Sequence, residues 1–469
     1  MKPDIVFLSP PLIWGQENRM DIKPPLNLMY LASYIKSKGF KVRIIDVLAE
    51  KLKINEAVKA ICEDNPAFLG VPFYHASLDT VLELCREVKK QNPSIKIIGG
   101  GPSMTIHPGE LLACEEIDAG VTGEGEITLE TLLCSDEKSY GTIDGTAFRY
   151  NGEVFINKRR THCDMDSLPF LDYSLVNMEP YFAYQKTFSM PKSIFLTSSR
   201  GCSFRCIYCA TPQLWPGPVR RYSPERIVEE VKHHMSMFPG INIGFMDDSF
   251  FSSRKWLYEF CKKIMKLGVS YSCIGRGDHL NKELIELLAR TGCHYVALGV
   301  ETGNQDRQKK IKKYLDLKKT KENVKCLLAN NIPVKCFFML GFPDESPEEM
   351  AETINFAVDL RKAGMFKFNF FPVVIYPGTE LAERFKKSCF KSKIYEHFTD
   401  PSTISDFGER NITMYSTIPD EDINPYLCSG EIVELTKLAY NKVEAREYIS
   451  AGDIWKLVKS EKEIMSREK

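Results

Sequence analysis

The sequence predicts two α/β domains in series: a doubly wound parallel sheet, then a partial barrel of six strand–helix units with a small, mainly helical tail. Three observations carry this. Apolar runs of strand length alternate with helical periodicity up to about residue 135, as in parallel sheets flanked by helices. A second alternation begins at Ser193 and yields six units, short of the eight of a complete barrel. Between them the pattern changes to a hairpin and a stretch without clear period.

In chain order, Ile5 to Leu8 reads as the first strand, and Leu28, Leu31, Ala32 and Ile35 fall at helical spacing until Gly39 ends the helix. Further strands are expected at Val42 to Val47, Phe68 to Val71, Ile95 to Ile98 and around Val121, with a helix marked by Leu78, Val81, Leu82 and Cys85. Gly145 to Tyr150, Asn151-Gly152 and Val154 to Asn157 form a hairpin pattern whose Asn-Gly pair suits a type I′ turn. Ser167 to Val176 leads on to a boundary near residue 185. The expected divisions are 1–140, a connector 141–185, the barrel 186–390 and an extension 391–469 in which Ile432 to Val443 has helical spacing. The barrel strands are expected at Ser193 to Thr197, Ile243 to Met246, Tyr271 to Arg276, Tyr295 to Val300, Val334 to Leu340 and Phe368 to Val374.

Composition narrows the function class. The 469 residues hold 62 basic and 62 acidic side chains, so no overall charge favours nucleic acid or an anionic membrane. No apolar run approaches the ~18 residues of a membrane span, and the start enters a strand directly, so a cytoplasmic location is expected. Fifteen cysteines scattered through so long a chain do not read as a disulfide framework. Cys85, Cys261 and Cys326 fall in apolar helical patterns, where a thiol packs as a small hydrophobe.

One cysteine cluster has ligand spacing. The segment LTSSRGCSFRCIYCATP follows the first barrel strand and presents Cys202, Cys206 and Cys209 from a loop. Thiolates are soft ligands for zinc or iron–sulfur clusters, and three of them leave one iron of a four-iron cubane open. The C-x3-C-x2-C spacing departs from the paired C-x2-C of structural zinc, and no fourth Cys or His follows at finger-like distance. Charged and polar residues close the later strands: Asp247 and Asp248 after the second, Arg276 after the third, Glu301 after the fourth, Gly341 after the fifth. Each has a plainer reading as an ion pair or turn residue.

CSFRCIYC, with Tyr208 just before the last cysteine, resembles the signature of the radical S-adenosylmethionine (SAM) superfamily. The resemblance implies a [4Fe-4S] cluster on Cys202, Cys206 and Cys209 whose open iron chelates SAM, and reductive cleavage of SAM to a 5′-deoxyadenosyl radical. It further implies an electron donor such as flavodoxin or ferredoxin. Asp247 and Asp248 then stand where the family holds the SAM amino group, Arg276 where it can meet the SAM carboxylate, Glu301 at a ribose- or amine-binding position, and Gly341 and the Tyr376-Pro377-Gly378-Thr379 turn on the adenine side.

The first domain resembles the cobalamin-binding domain that precedes this barrel in one large subgroup. Pro24-Pro25-Leu26 opens its first helix, Gly99-Gly100-Gly101-Pro102 follows the fourth strand, and Gly123-Glu124-Gly125-Glu126 follows the fifth. Glycines at the C-terminal ends of parallel strands let a ligand approach the backbone, so Gly99, Gly100, Gly101, Gly123 and Glu124 are the expected cobalamin contacts. The sequence departs from histidine-ligating cobalamin domains, which carry Asp-x-His-x-x-Gly after the first strand. Here the loop reads SPPLIWGQENRM, and His75 and His107 lie after other strands as ordinary loop residues. Cobalamin is therefore expected without a protein histidine on cobalt.

The expectation is a cobalamin-dependent methyl transfer to an unactivated carbon or phosphinate in a small-molecule or peptide substrate. A cobalamin-containing radical oxidation, cyclisation or rearrangement, and a non-catalytic carrier or sensor, are the alternatives.

Overall fold

A computed structural model describes residues 2–11, 22–160, 162–384 and 429–457. It resolves into two compact units, Met1–Leu196 with Gln213–Trp215, and Thr197–Pro212 with Pro216–Lys469.

Among the described residues, the first unit forms one sheet from β1 (Ile5–Ser9), β2 (Val42–Asp46), β3 (Phe68–Pro72), β4 (Lys96–Gly100), β5 (Ala119–Val121), β6 (Thr146–Tyr150) and β7 (Glu153–Ile156), in the order β2-β1-β3-β4-β5-β6-β7. β1 to β5 pair in parallel, and the reversal of direction beside β1 is what doubly wound sheets show. β1 reads IVFL because helices cover both faces of a parallel sheet: Ile5, Val6, Phe7 and Leu8 are all buried. The helix Leu26–Ser37 buries Leu28, Met29, Tyr30, Ala32 and Ile35, and Leu78–Gln91 buries Leu78, Val81, Leu82, Cys85 and Val88.

The Asn151-Gly152 hairpin forms, with φ of 51° and 83° at the two turn residues, as a type I′ turn demands. β6 also pairs antiparallel with β5, so the hairpin extends the sheet. Beyond it, the helix Glu179–Thr187 is tied to the end of β2 by Tyr181, whose hydroxyl donates to buried Asp46 at 2.7 Å. Burial pushes the Asp46 carboxyl up, and hydrogen bonds from Tyr181 and the Ala49 and Leu48 amides oppose it.

The second sheet contains β8 (Ser193–Leu196), β11 (Asn242–Phe245), β12 (Tyr271–Gly275), β13 (Cys293–Glu301), β14 (Val334–Leu340) and β15 (Lys367–Pro372), in the order β15-β14-β13-β12-β11-β8. These are the six strands expected from sequence. A two-stranded ribbon, β9 (Ser199–Arg200) with β10 (Arg220–Arg221), follows the first of them. Helices after the loops start on side-chain caps: Ser223, Ser253, Asn281, Asn304, Asp316 and Ser346 each accept a backbone N–H of the first turn. Each cap contributes about 1 kcal/mol and fixes where its loop ends. The C-terminal helix Ser429–Ala445 covers β15, where Tyr440 Oη accepts from Asn369 Nδ2 at 3.0 Å and its ring lies against Phe368.

The described cysteines form no disulfide, and Cys85 and Cys261 are buried while Cys326 is partly so. No helix among the described residues is long and apolar enough to cross a membrane.

Tyr181→Phe leaves Asp46 with two amide donors in a buried place. It should lower the stability of the chain by about 1.5–3 kcal/mol, measured by urea unfolding, without changing the secondary structure seen by circular dichroism.

Candidate active site

The cysteine loop, residues 201–210, is held at every quarter by the ends of other barrel strands. At its start, Asp247 after β11 accepts from Ser198 N (3.0 Å), Ser198 Oγ (2.8 Å) and Ser199 Oγ. Asp248 accepts from Gly201 N at 3.1 Å and Thr211 Oγ1 at 3.4 Å. Burial pushes both carboxyls up, countered at Asp247 by the Ser199 and Ser198 hydrogen bonds. In the middle, Arg276 lies 3.8 Å over the Phe204 ring, which also meets His279 at a tilt, 5.3 Å between ring centres. Further on, Ile207 N donates to Ile311 O and Leu381 N to Ile207 O, while Ile207 and Tyr208 pack with Phe342, Val373 and Leu381.

The three thiols are half-buried on this loop, and Cys202 and Cys206 each lie in the field of Cys209. Burial raises the Cys202 thiol and pushes Cys206 up to about 11, and the nearby ammonium of Lys313 pulls both down. Among the described residues no three His, Cys, Asp or Glu side chains already converge at ligand distance. The donor set still fits an iron–sulfur cluster: three thiols share one loop beside a cation, and binding to iron deprotonates a thiol that burial alone keeps neutral.

The strand-end residues divide into those turned to the loop and those turned to each other. Asp247 and Asp248 hold the loop itself. Arg276 donates to both oxygens of Asp278 (3.1 and 2.8 Å) and to Lys313 O (2.6 Å), and its face is covered by Phe204. Its guanidinium is thereby committed within the protein, the ion-pair reading that the sequence left open. Glu301 sits at φ 68°, where the β13–β14 register shifts, and accepts from Lys313 Nζ at 2.8 Å with both side chains largely buried. A left-handed glutamate is strained, and strain that survives in a fold is held by its surroundings. Gly299 leaves room for the pair, because a Cβ there would stand 2.5 Å from Glu301 Oε1 and 3.1 Å from Lys313 Nζ.

Gly341 has φ 87°, and its N–H and that of Phe342 both donate to Glu345 Oε2, at 2.8 and 3.1 Å. Phe342 meets Tyr208 edge-on at 5.9 Å, and Ile432 of the C-terminal helix packs where a Gly341 side chain would stand. Tyr376 is half-buried, its hydroxyl raised to about 12 by burial, and its carbonyl accepts from Thr379. Sequence reasoning missed Lys313, Glu345 and Phe204. Glu345 carried a signal, standing four residues after the strand-end glycine and just before the Ser346-Pro347 helix start, whereas Lys313 lies in a lysine run that reads as a solvated face.

In the first unit, the residues singled out lie at the C-terminal edge of the sheet, but not all face open space. A Cβ on Gly99 would meet Met104 at 2.6 Å and Phe73 at 2.9 Å, so this glycine serves packing, while nothing stands within 4 Å at Gly100. Gly101 opens the helix Gly101–Ile106 with its back to Phe73. Gly123 N donates to Thr105 Oγ1, and Glu124 faces His162 Nδ1 at 3.4 Å and the Cys163 amide. His75 opens a single helical turn after β3, and His107 stands between the helices Gly101–Ile106 and Pro108–Leu112, with its Nδ1 3.2 Å from Glu110. The loop after β1, in which the sequence offers no histidine for cobalt, lies from residue 12 to 21 outside the described residues.

Two outcomes follow. Asp247→Asn places an amide N–H₂ among three donors, and should lower stability by about 1–3 kcal/mol and reduce iron bound per chain after anaerobic reconstitution. Burial, opposed by Arg307 and the two amides, raises Glu345 from 4.5 to about 7. The native state then keeps a proton that the unfolded chain has lost, so stability falls as pH rises from about 4.5 to 7 and is level above, by on the order of 3 kcal/mol. Thermal melts across this range should show that slope in the native chain and a flatter profile in Glu345→Gln.

Comparison with known proteins agrees with this architecture. The radical SAM superfamily model matches residues 196–357 and the B12 binding domain model residues 20–133. An uncharacterized methyltransferase, PH0819, of Pyrococcus horikoshii is 30% identical over 366 residues, 77% of this chain and 78% of that protein. Cytidylyl-2-hydroxyethylphosphonate methyltransferase of Streptomyces wedmorensis is 26% identical, over 80% of this chain and 79% of its own. Among solved structures, the radical SAM methyltransferase TsrM of Kitasatospora setae, with cobalamin and a [4Fe-4S] cluster bound, superposes with a TM-score of 0.68 at 16% identity, covering 83% of this chain and 78% of that one. This chain belongs to the radical SAM enzymes that carry a B12-binding domain ahead of the barrel.

Proposed function

We propose that this enzyme methylates an unactivated carbon, or a phosphinate, of a small-molecule or peptide substrate in a cobalamin-dependent reaction. The observation that carries the reading is the presence in one chain of a thiol loop at the C-terminal edge of a six-stranded barrel sheet and a glycine-lined sheet edge matched by the B12 model. The similarity to two proteins named as methyltransferases supports methyl transfer over oxidation or cyclisation. It argues also against a mere carrier or sensor, for which a SAM site has no use.

When bound, the cluster supplies one electron to the SAM sulfonium and cobalamin supplies a methyl carrier. The chain's own residues do the rest. Cys202, Cys206 and Cys209 hold the cluster, and Asp247, Asp248 and the Arg276–Phe204 stack fix the loop that bears them. Tyr208 and Phe342 close the apolar side of the loop against water, with the Gly341 turn held by Glu345 on the adenine side. Glu301 is the acid placed for the ribose or amino group. In the first domain, residues 1–140, Gly100, Gly101, Gly123 and Glu124 form the edge that receives cobalamin, and Gly99 shapes it from behind through Met104 and Phe73. No histidine stands in the SPPLIWGQENRM loop, so cobalamin would be held there without a histidine from that loop. Residues 141–185 lead into the barrel at 186–390, and 391–469 form the extension. The proposed setting is the cytoplasm, where reduced thiols and an electron donor such as flavodoxin or ferredoxin are at hand.

The test is anaerobic enzyme, reconstituted with iron, sulfide and cobalamin, given SAM deuterated in the methyl group. A labelled product together with 5′-deoxyadenosine is expected, and the Cys202→Ala, Cys206→Ala and Cys209→Ala variants should each lose cluster absorbance and deoxyadenosine formation. Deoxyadenosine with no label in any product would overturn methyl transfer and leave radical oxidation or rearrangement. SAM left intact after full cluster reduction would leave only the carrier.

A further inference from the structure

The hairpin of the first unit returns the chain to the edge of the sheet where the ligand contacts are expected. β6 runs antiparallel to β5 and β7 antiparallel to β6, so β7 points the same way as the parallel strands and ends at their C-terminal edge. Gly145 joins the two sides there, since Thr122 N donates to Gly145 O and Gly145 N to Lys158 O. The chain then continues through Lys158, Arg159 and Arg160, consecutive cations. Arg159 stands beside the Gly123 turn: a Cβ on Gly123 would lie 3.9 Å from Arg159 Cδ. Thr105 holds both residues, accepting from Gly123 N through its hydroxyl at 3.0 Å and from Arg159 Nη2 through its carbonyl at 2.9 Å.

The charge on Arg159 is uncompensated. Its other hydrogen bond, from Nη1, also goes to a carbonyl, that of Gln213 at 2.7 Å, in the short stretch Gln213–Trp215 that packs with this unit. Carbonyls orient a guanidinium but bring no net charge, and among the described residues no acid pairs with Arg159. Lys158 and Arg160 have no acid partner among them either, and Arg160 Nε donates to Thr128 Oγ1 at 3.3 Å. Glu124, on the same edge, is turned to His162 Nδ1 and the Cys163 amide. Burial draws Arg159 below the usual arginine range, with no carboxylate to oppose it. A half-buried cation is costly to keep unless an anion joins it, and the guanidinium fork retains N–H donors for one.

Resting on the cobalamin reading above, we propose that Arg159 anchors the phosphodiester of cobalamin's nucleotide loop, with Lys158 and Arg160 adding to the positive charge around it. The amide side chains around the corrin ring are neutral, so the phosphodiester is the anionic group at the cofactor's periphery, and phosphate oxygens match the guanidinium fork. The glycines of this edge let a ligand approach the backbone but cannot answer its charge, and Arg159 does. The residues matched by the B12 model end at 133, so the anchor comes from the connector that follows the matched domain. One consequence is selectivity: the chain favours corrinoids that carry the phosphate over cobinamide, which lacks it.

The experiment titrates hydroxocobalamin, cobinamide phosphate and cobinamide into the full-length chain, its cluster rebuilt anaerobically with corrinoid withheld, in wild type, Arg159→Gln and Arg159→Lys. Binding is followed by the visible spectrum of the corrinoid and by calorimetry at two ionic strengths. Wild type should bind the two phosphate-bearing corrinoids about tenfold or more tighter than cobinamide, a preference that shrinks at high salt. Arg159→Gln should lose the preference by weakening those two alone, and Arg159→Lys, which keeps the charge, should retain most of it. Phosphate-bearing corrinoids bound as tightly by Arg159→Gln as by wild type would overturn the proposal. So would equal losses with all three corrinoids, which place Arg159 in the fold. A wild type that retains all three alike overturns it without recourse to any variant, while the cobalamin reading stands. Retention of no corrinoid by wild type overturns the cobalamin reading, and the anchor with it.

Discussion

The buried carboxylate of Asp247 is the contact on which the thiol loop depends. A charge with 4% exposure is costly to bury unless donors surround it, and here the donors are Ser198 N, Ser198 Oγ and Ser199 Oγ, the residues that lead out of β8 and into the cysteines. The end of one strand thus fixes the start of the loop that follows another. Asp248, next in sequence, takes the Gly201 amide one step further along. The two adjacent acids thus shape the backbone that leads into the three cysteines.

Arg276 is likewise engaged within the protein. A guanidinium has a rigid fork of donors, and a carboxylate across from it matches that fork. Asp278 lies two residues on, so the fork is filled locally, and the flat face left over covers Phe204. With Arg276 engaged, Lys313 is a cation whose field lowers Cys202 and Cys206, and it enters from the segment after the helix Gln305–Lys310. Its buried pairing with Glu301 is weak evidence for stability, because the desolvation of two charges offsets their attraction. The left-handed Glu301 and the Gly299 gap beside it add further cost, so the pair is better understood as something the site requires than as something the fold gains from.

Much of the architecture was legible because burial writes itself into periodicity. Parallel strands covered on both faces read as runs such as IVFL and as the six barrel strands, and the helices between them start on serine, asparagine and aspartate caps. The cysteine loop was legible from spacing alone, since its residues are local. What lay hidden was long-range. That Arg276 stacks on Phe204, that Glu345 receives two amides of the Gly341 turn, and that Gly99 packs on Met104 all join residues whose proximity only the fold creates. The hairpin was visible from Asn151-Gly152, but the pairing of its first strand, β6, with β5 was not, because that register joins Val121 to Thr146 and only the fold brings them together.

Lys313 shows how a sequence can conceal a buried charge in plain view. Among the seven lysines of residues 309–321, the one that is buried differs from its neighbours only in the backbone around it. Gln308 gathers the amides of residues 313 and 314 and is itself held by the end of β13, which bends residues 311–315 so that Lys313 points inward while Lys312 and Tyr314 remain outside. The left-handed turns on either side are the price of that inversion. The same segment meets the cysteine loop directly, where Ile311 O accepts from Ile207 N.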